Sequence, residues 1–274
     1  MRKKLYFQGI LLLFLVSIVC NFSFKARIVK AEEPHIDSKA ECVIDFDTGK
    51  ILHAKNGEIP LPMASTTKIL TAITILESGK DLEEEISIPQ TAVGIEGSSV
   101  YLQCGDRYTI LDLLYGLMLR SGNDCAIALA LHIGGTIADF CSKMNYIAQK
   151  AGALNSNFEN PHGLSSPKHY TTAQDLCYIT RYALKNEFFE QIVSTSYYAP
   201  RGWKNKNKML TSYEGAIGVK TGYTKQAGRC LVSAARRDGK TLICAVLNCP
   251  SMYERSAELL DKGFYACKSS KNLE

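Results

Sequence analysis

The feature that most constrains this chain is the segment from Ser65 to Ser78, where Ile69, Leu70, Ala72, Ile73, Ile75 and Leu76 cover more than half the circumference of a helix ended by Gly79. A helix apolar on so many sides has to be enclosed by protein, so the rest of the chain must pack around it. Helical periodicity recurs over residues 109–119, 124–133, 137–151 and 172–184. Glu41 to Phe46 and Ile51 to Ala54, joined by the turn Asp47-Thr48-Gly49-Lys50, read as a β-hairpin. Beyond residue 205, the runs Gly218–Thr224, Gly228–Arg236 and Thr241–Asn248 are short, apolar or β-branched and separated by turn residues such as Asp238-Gly239, the pattern of consecutive antiparallel strands. Ser251 to Cys267 carries Ala257, Leu259, Leu260, Phe264 and Tyr265 and is expected to cover that sheet as a helix. Strands at both ends with helices between them predict an α/β (α+β) sandwich. Its antiparallel sheet is assembled from both chain ends, and a mostly helical subdomain, about residues 81–205, is inserted.

The first thirty-one residues read as an address. Arg2, Lys3 and Lys4 precede the apolar run Ile10–Val19, which is too short to span a bilayer comfortably, and Ala31 offers the small residue of a signal-peptidase site. Cleavage there leaves 32–274 as one domain outside the cytoplasm; a retained segment is the alternative and would anchor it to the membrane. The 32 basic residues of the whole chain lose six with this segment, leaving 26 against 27 acidic ones. That near-neutral balance gives no net basic field and speaks against nucleic acid as a partner. Of ten cysteines, Cys20 goes with the segment and nine remain, without C-x-x-C pairs or zinc-like His spacing. Buried thiols are the preferred reading over a disulfide framework, because a chain of this length has a core of its own.

Three polar clusters carry the chemistry. In Ser65-Thr66-Thr67-Lys68, a spacing of three at a helix start stacks serine and lysine on one face. A serine hydroxyl is a weak nucleophile until a base takes its proton, and lysine is such a base only when neutral. Burial, the helix N-terminus and a second cation all push it that way. The motif alone is weak, and Ser165-Ser166-Pro167-Lys168 repeats its spacing in a probable loop. Ser121-Gly122-Asn123, between two helices, offers a proton relay and an amide for substrate. Lys220-Thr221-Gly222, in a strand, offers a carboxylate grip and, at Gly222, close approach of a substrate backbone. Each also has an ordinary loop or strand-end explanation.

Ser-x-x-Lys, Ser-x-Asn and Lys-Thr-Gly in this order resemble the signature of the penicillin-recognising serine enzymes. The surrounding Pro62-Met63-Ala64-Ser65-Thr66-Thr67-Lys68, Asn160-Pro161-His162-Gly163-Leu164 and Gly218-Val219-Lys220-Thr221-Gly222-Tyr223-Thr224 look most like the serine-type D-alanyl-D-alanine carboxypeptidases, the low-molecular-mass penicillin-binding proteins, over about residues 36–267. The resemblance implies a β-lactamase/transpeptidase-like fold and a Ser65 acyl-enzyme with Lys68 as base. Ser121 and Asn123 would complete the proton and substrate network, and Lys220 with Thr221 would hold the terminal carboxylate. An oxyanion hole would come from the backbone N–H groups of Ser65 and Tyr223. The implied partners are stem peptides ending in D-Ala-D-Ala and β-lactams as covalent inhibitors, with no metal or organic cofactor. His162 is expected to fix its loop by hydrogen bonding rather than to act chemically. Two departures stand out: Ile217 occupies a position often acidic in related enzymes, and no C-terminal β-domain or amphipathic anchor follows the catalytic region, so the mature protein is expected to be free of the membrane unless residues 1–31 are retained.

Three rivals share the motifs. A class A-like β-lactamase needs a Glu-x-x-Leu-Asn element; Glu159 lies in the right stretch, but His162 and Gly163 stand where Leu and Asn belong. A binding module without turnover and a transpeptidase are the others.

Overall fold

A computed structural model describes residues 37–271; the signal-peptide reading of residues 1–31 lies outside these described residues. The N-terminal hairpin forms as β1 (Ala40–Asp45) and β2 (Ile51–Lys55). Asp45 Oδ1 closes its turn by accepting from both the N–H and the hydroxyl of Thr48, each at 2.8 Å. The chain then makes a 3₁₀ turn, Ala64–Thr67, and continues into α1 (Lys68–Leu76). A small ribbon of β3 (Glu85–Ser87) and β4 (Arg107–Thr109) leads to α2 (Ile110–Leu119), α3 (Asn123–Gly134), α4 (Ile137–Lys150), α5 (Ala173–Ala183) and α6 (Glu187–Ser194). A two-residue pair, β5 (Tyr197–Tyr198) and β6 (Trp203–Lys204), and the short α7 (Met209–Ser212) precede the long strands β7 (Ala216–Thr224), β8 (Gly228–Arg237) and β9 (Lys240–Leu247). The last element described is α8 (Met252–Lys271).

The main sheet is antiparallel throughout, in the order β2-β1-β9-β8-β7, so the first strand of the described residues pairs with the last. Its two faces are both buried. Ile44, Val232, Ile243 and Ala245 point into the larger core with α1 and α5, whereas Val43, Leu231, Cys244 and Val246 point to a smaller one closed by Leu259, Leu260 and Phe264 of α8. That alternation is the period of two of a strand, with apolar residues required on each side. Helix α1 is buried all round, as its composition demands, and touches α2 through α6. Ile69, Leu70, Ile73 and Ile75 are each 0–1 % exposed, a burial worth about 2 kcal/mol per side chain. Of the region 81–205, α5 lies against β1 and β9 and α6 against β7, so these two helices belong to the layer on the sheet. The nine cysteines of the described residues are thiols, seven of them buried.

Two packing contacts fix the N-terminus of α1. Strand β7, at the open edge of the sheet, lies against the 3₁₀ turn; a Cβ on Gly222 would stand 3.0 Å from Met63 O and from Ser65 N. From the other side comes the loop between Phe158 and Tyr170, where Gly163 has φ +93° and a Cβ would fall 2.0 Å from Ala64 O. On the same loop, Pro161 O accepts from Thr71 Oγ1 at 2.7 Å, and His169 Nε2 lies 2.9 Å from Thr67 Oγ1. His169 Nδ1 accepts from the Glu159 N–H, so Nε2 carries the proton and donates to Thr67. Burial holds this imidazole neutral, its pKa down at about 4. Gly163→Ala is therefore expected to cost at least about 2 kcal/mol in a urea melt, because neither its backbone angle nor the Ala64 carbonyl has room for a methyl group.

A buried ion pair ties α8 to β1. Glu41, fully buried, accepts from Arg255 Nε at 2.9 Å and Nη2 at 2.6 Å, from His53 Nε2 at 2.8 Å and from the Ser38 hydroxyl. Burial alone would raise its pKa; Arg255, Ser38 and His53 outweigh it and bring the carboxyl to about 2 from an ordinary 4.5. A carboxyl with a depressed folded pKa contributes stability that is complete above the unfolded value and lost as pH falls through the folded one. The melting temperature is expected to drop steeply between pH 4.5 and pH 2, with a loss on the order of 3 kcal/mol. Glu41→Gln should start lower at pH 7 and show a flatter acid limb in the same calorimetric series.

Candidate active site

Ser65 sits in the 3₁₀ turn and Lys68 opens α1. The α-helix expected from Ser65 therefore begins three residues later, and the tighter turn still brings the two side chains together, with Lys68 Nζ 3.1 Å from Ser65 Oγ. Preceding the serine, Ala64 has φ +50°, a left-handed conformation costing about 1 kcal/mol that the clamp of β7 and the Gly163 loop sustains. Lys68 is wholly buried. Its amine donates to Asn123 Oδ1 at 2.7 Å and to the His162 carbonyl at 2.6 Å. Burial first, then the charge of Lys220, push its pKa far below the ordinary lysine value, against the opposing pull of Asp124.

Asn123 is the first residue of α3 rather than a loop residue, and it is 3 % exposed. Its side chain is committed at both ends, with Oδ1 on Lys68 and Nδ2 donating to Glu96 O at 2.5 Å. It thus holds Lys68, and one N–H of its amide remains beyond these two hydrogen bonds. Beside it Ser121 is buried, at φ +65° in the connection between α2 and α3. Asp124, also buried, accepts from the Ser99 hydroxyl and from the N–H groups of Val100 and Leu102, which anchors the segment that carries Ser98 next to the site.

From the sheet side, Lys220 is 1 % exposed, and its Nζ donates to Thr221 O at 2.9 Å. Burial, then the nearby Lys206, bring its pKa down to about 7. Gly222, expected to admit a substrate backbone, also has an internal reason: its missing side chain lets β7 reach the Ser65 turn. Tyr223 follows with its ring exposed. Above these groups opens a cleft of about 240 Å³ lined by Ser65, Ser121, Thr221, Gly222 and Tyr223, all expected from the sequence, together with Ser98, Lys206, Arg229, Met252 and Tyr253, which were not. Arg229 is placed by register, opposite Tyr223 in β8, and Met252 and Tyr253 by the start of α8. The cleft lining contains cations and no acid among the described residues.

His162 stays at the margin of the chemistry. Its Nδ1 accepts from the Leu164 N–H at 3.1 Å, and burial, then Lys68, hold it neutral with a pKa of about 3, so its ring fixes the loop and its backbone carbonyl grips Lys68. The Ser165 repeat is exposed and near Thr224 Oγ1, while its Lys168 is exposed too, without the helical stacking of Ser65 and Lys68. Glu159 is exposed, receives the Ser166 hydroxyl and does not line the cleft. No cluster of three His, Cys, Asp or Glu side chains suited to a metal ion occurs among the described residues.

Residues 27–251 match the family profile described as D-alanyl-D-alanine carboxypeptidase, peptidase S11. D-alanyl-D-alanine carboxypeptidase DacF of Bacillus subtilis is 33 % identical over 234 residues; the match takes in 81 % of this chain and 60 % of DacF, so this chain spans well under two thirds of that relative. The D-alanyl-D-alanine carboxypeptidase of Streptomyces sp. K15 is 35 % identical over 258 residues, 85 % of this chain and 89 % of that protein. The crystal structure of the Streptomyces K15 DD-transpeptidase superposes with a TM-score of 0.79 at 35 % identity, over 85 % of this chain and 99 % of that one. With the same three polar clusters meeting in one cleft, this chain belongs to the D-alanyl-D-alanine carboxypeptidase family of serine peptidases.

Proposed function

We propose that the protein removes the terminal D-alanine from peptidoglycan stem peptides ending in D-Ala-D-Ala through an acyl-enzyme on Ser65, and that penicillins acylate the same hydroxyl. The observation that carries this reading is the set of partners around Lys68. A neutral amine has two N–H groups and one lone pair. Asn123 Oδ1 and the His162 carbonyl can only accept, and they take both N–H groups. The lone pair is left for the third neighbour, the Ser65 hydroxyl. Burial favours the uncharged amine, and with it this arrangement supports Lys68 as the general base that takes the Ser65 proton.

In the proposed reaction Ser65 Oγ attacks the carbonyl of the penultimate D-alanine as its proton passes to Lys68. Backbone N–H groups of Ser65 and Tyr223 receive the oxyanion, an arrangement supported by the approach of β7 to the Ser65 turn. Lys68, with Ser121 as relay, returns the proton to the departing amine, and water then cleaves the ester by the reverse path. The substrate's terminal carboxylate suits the cationic end of the cleft, where Lys206 and Arg229 stand around Thr221 above buried Lys220. Such peptides belong to the cell wall, so we place the enzyme on the outer side of the cytoplasmic membrane, exported by residues 1–31. Capture of the acyl-enzyme by an amine instead of water is the second reading, supported by the description of the K15 structure as a DD-transpeptidase. Rapid penicillin hydrolysis is not expected, since Glu159 does not line the cleft.

Peptide mapping by mass spectrometry after penicillin treatment is expected to place the adduct on Ser65 and none on Ser165, and Ser65→Ala should abolish it. Lys68→Arg, which cannot surrender its charge, should slow acylation by about 10³-fold while leaving the melting temperature measurable as a control. The pH dependence of kcat/KM for a Lys-D-Ala-D-Ala peptide should be bell-shaped. Its rising limb comes from deprotonation of Lys68, displaced far below the ordinary lysine range. Its falling limb comes from Lys220 losing charge above about 7, and in Lys220→Met that limb should disappear.

A further inference from the structure

The cationic surface continues beyond the catalytic cleft. Lys206 is shared with a second groove, of about 330 Å³, whose walls also carry Arg120, Lys204 and Lys208 and no acidic residue among those described. Four cations along one groove repel one another, and Lys206 shows it: burial, then the charge of Arg120, hold its pKa below the usual lysine value. The basic loop is nevertheless fixed in place. Lys206 N–H donates to Leu119 O at 3.1 Å, Arg120 Nη1 to Lys204 O at 3.2 Å, and Asn205 Nδ2 to Thr195 O at 3.0 Å, while Asn205 Oδ1 accepts from the Asn207 N–H at 2.9 Å.

Asn207 is held in the same loop. It lines this groove and is 5 % exposed; its Oδ1 accepts from the Met209 N–H, but its buried Nδ2 has no acceptor. An unsatisfied buried donor costs about 1–3 kcal/mol. The groove's own lining sets no negative charge against its four cations, so an anionic oxygen that enters it is attracted by all of them.

We infer that this groove is a subsite for a second carboxylate of the peptide substrate, separate from the terminal carboxylate held near Thr221. This rests on the peptidase reading above and adds to it a preference for acidic peptides. Phosphate shares the chemistry, but a groove that shares Lys206 with the catalytic cleft is placed for one peptide to occupy both, whereas an independent ion needs no such continuity.

Two synthetic peptides that end in D-Ala-D-Ala and differ only in Glu or Gln at the preceding residue provide the test. The wild-type protein is expected to favour the acidic peptide by about tenfold in kcat/KM at low ionic strength, and the ratio should shrink as salt screens the groove. Lys204→Gln with Lys208→Gln should bring the ratio close to one, and Lys204→Glu with Lys208→Glu below one, the neutral peptide serving as reference for each variant. Equal turnover of both peptides by the wild type overturns the subsite and leaves the peptidase reading standing. Turnover of neither, with penicillin still labelling Ser65, removes the peptidase reading and the subsite with it. Thermal stabilisation of the wild type by inorganic phosphate, lost in the Gln variant, combined with a ratio of one, also overturns the proposal and assigns the groove to phosphate.

Discussion

The structure depends on keeping one lysine out of water. A lysine ammonium placed among apolar side chains, with no carboxylate in contact, is among the least favourable arrangements a protein interior can hold, and the group escapes by giving up its proton. Burial and the charge of Lys220 both push Lys68 toward the uncharged amine. The Gly163 loop delivers a carbonyl from one side and α3 delivers Asn123 Oδ1 from the other. The cost of burying the amine is offset by the apolar residues on the same helix, since Ile69, Leu70, Ile73 and Ile75 each return about 2 kcal/mol, more in sum than one desolvated amine removes. The helix that looks hydrophobic to excess in sequence is the foundation on which a base can be hidden.

A second buried amine, Lys220, lies close enough for its charge to depress Lys68 further. The two have different duties under the proposed reaction, one to be neutral and one to attract an anion, and the fold separates them by backbone. Lys68 is reached from below by a helix, and Lys220 from the side by an edge strand. The contact between β7 and the Ala64–Ser65 turn sets their relation, so Gly222, Gly163 and the left-handed Ala64 are parts of one clamp. Asp124 works a step further out, fixing the Ser99–Leu102 segment through four hydrogen bonds without entering the cleft.

Much of this was legible in the sequence where a residue's role depends on local period. The two terminal sets of strands, the enclosed helix and the succession α2 to α5 all follow from hydrophobic spacing, and the union of Ser65, Lys68, Ser121, Asn123 and Lys220 from three short motifs. What stayed hidden depends on tertiary placement. Helix α6 and the pair β5 and β6 are too short for periodicity to declare them. Lys206 sits in a Lys-Asn run that reads as solvated loop, and Arg229 becomes a cleft residue only through its register with Tyr223. Gly222 shows the subtler limit: its motif marks it for function, and the sequence gives no sign that Met63 and Ser65 also need its missing side chain. His169, which donates to Thr67, carries no signal in sequence at all.

The pairing of β1 with β9 has a consequence in time. Residues 40–45 find their neighbour only at residues 240–247, some two hundred positions later. Closure of so long a loop comes late and slows folding. Until the last strand arrives, the opening hairpin has one of its edges vacant, and α5 lacks half of the surface it rests on. A ribosome making this polypeptide therefore releases an incomplete sheet for nearly the whole of synthesis, and the nucleophile's turn, clamped by β7, cannot be assembled before the penultimate strands exist.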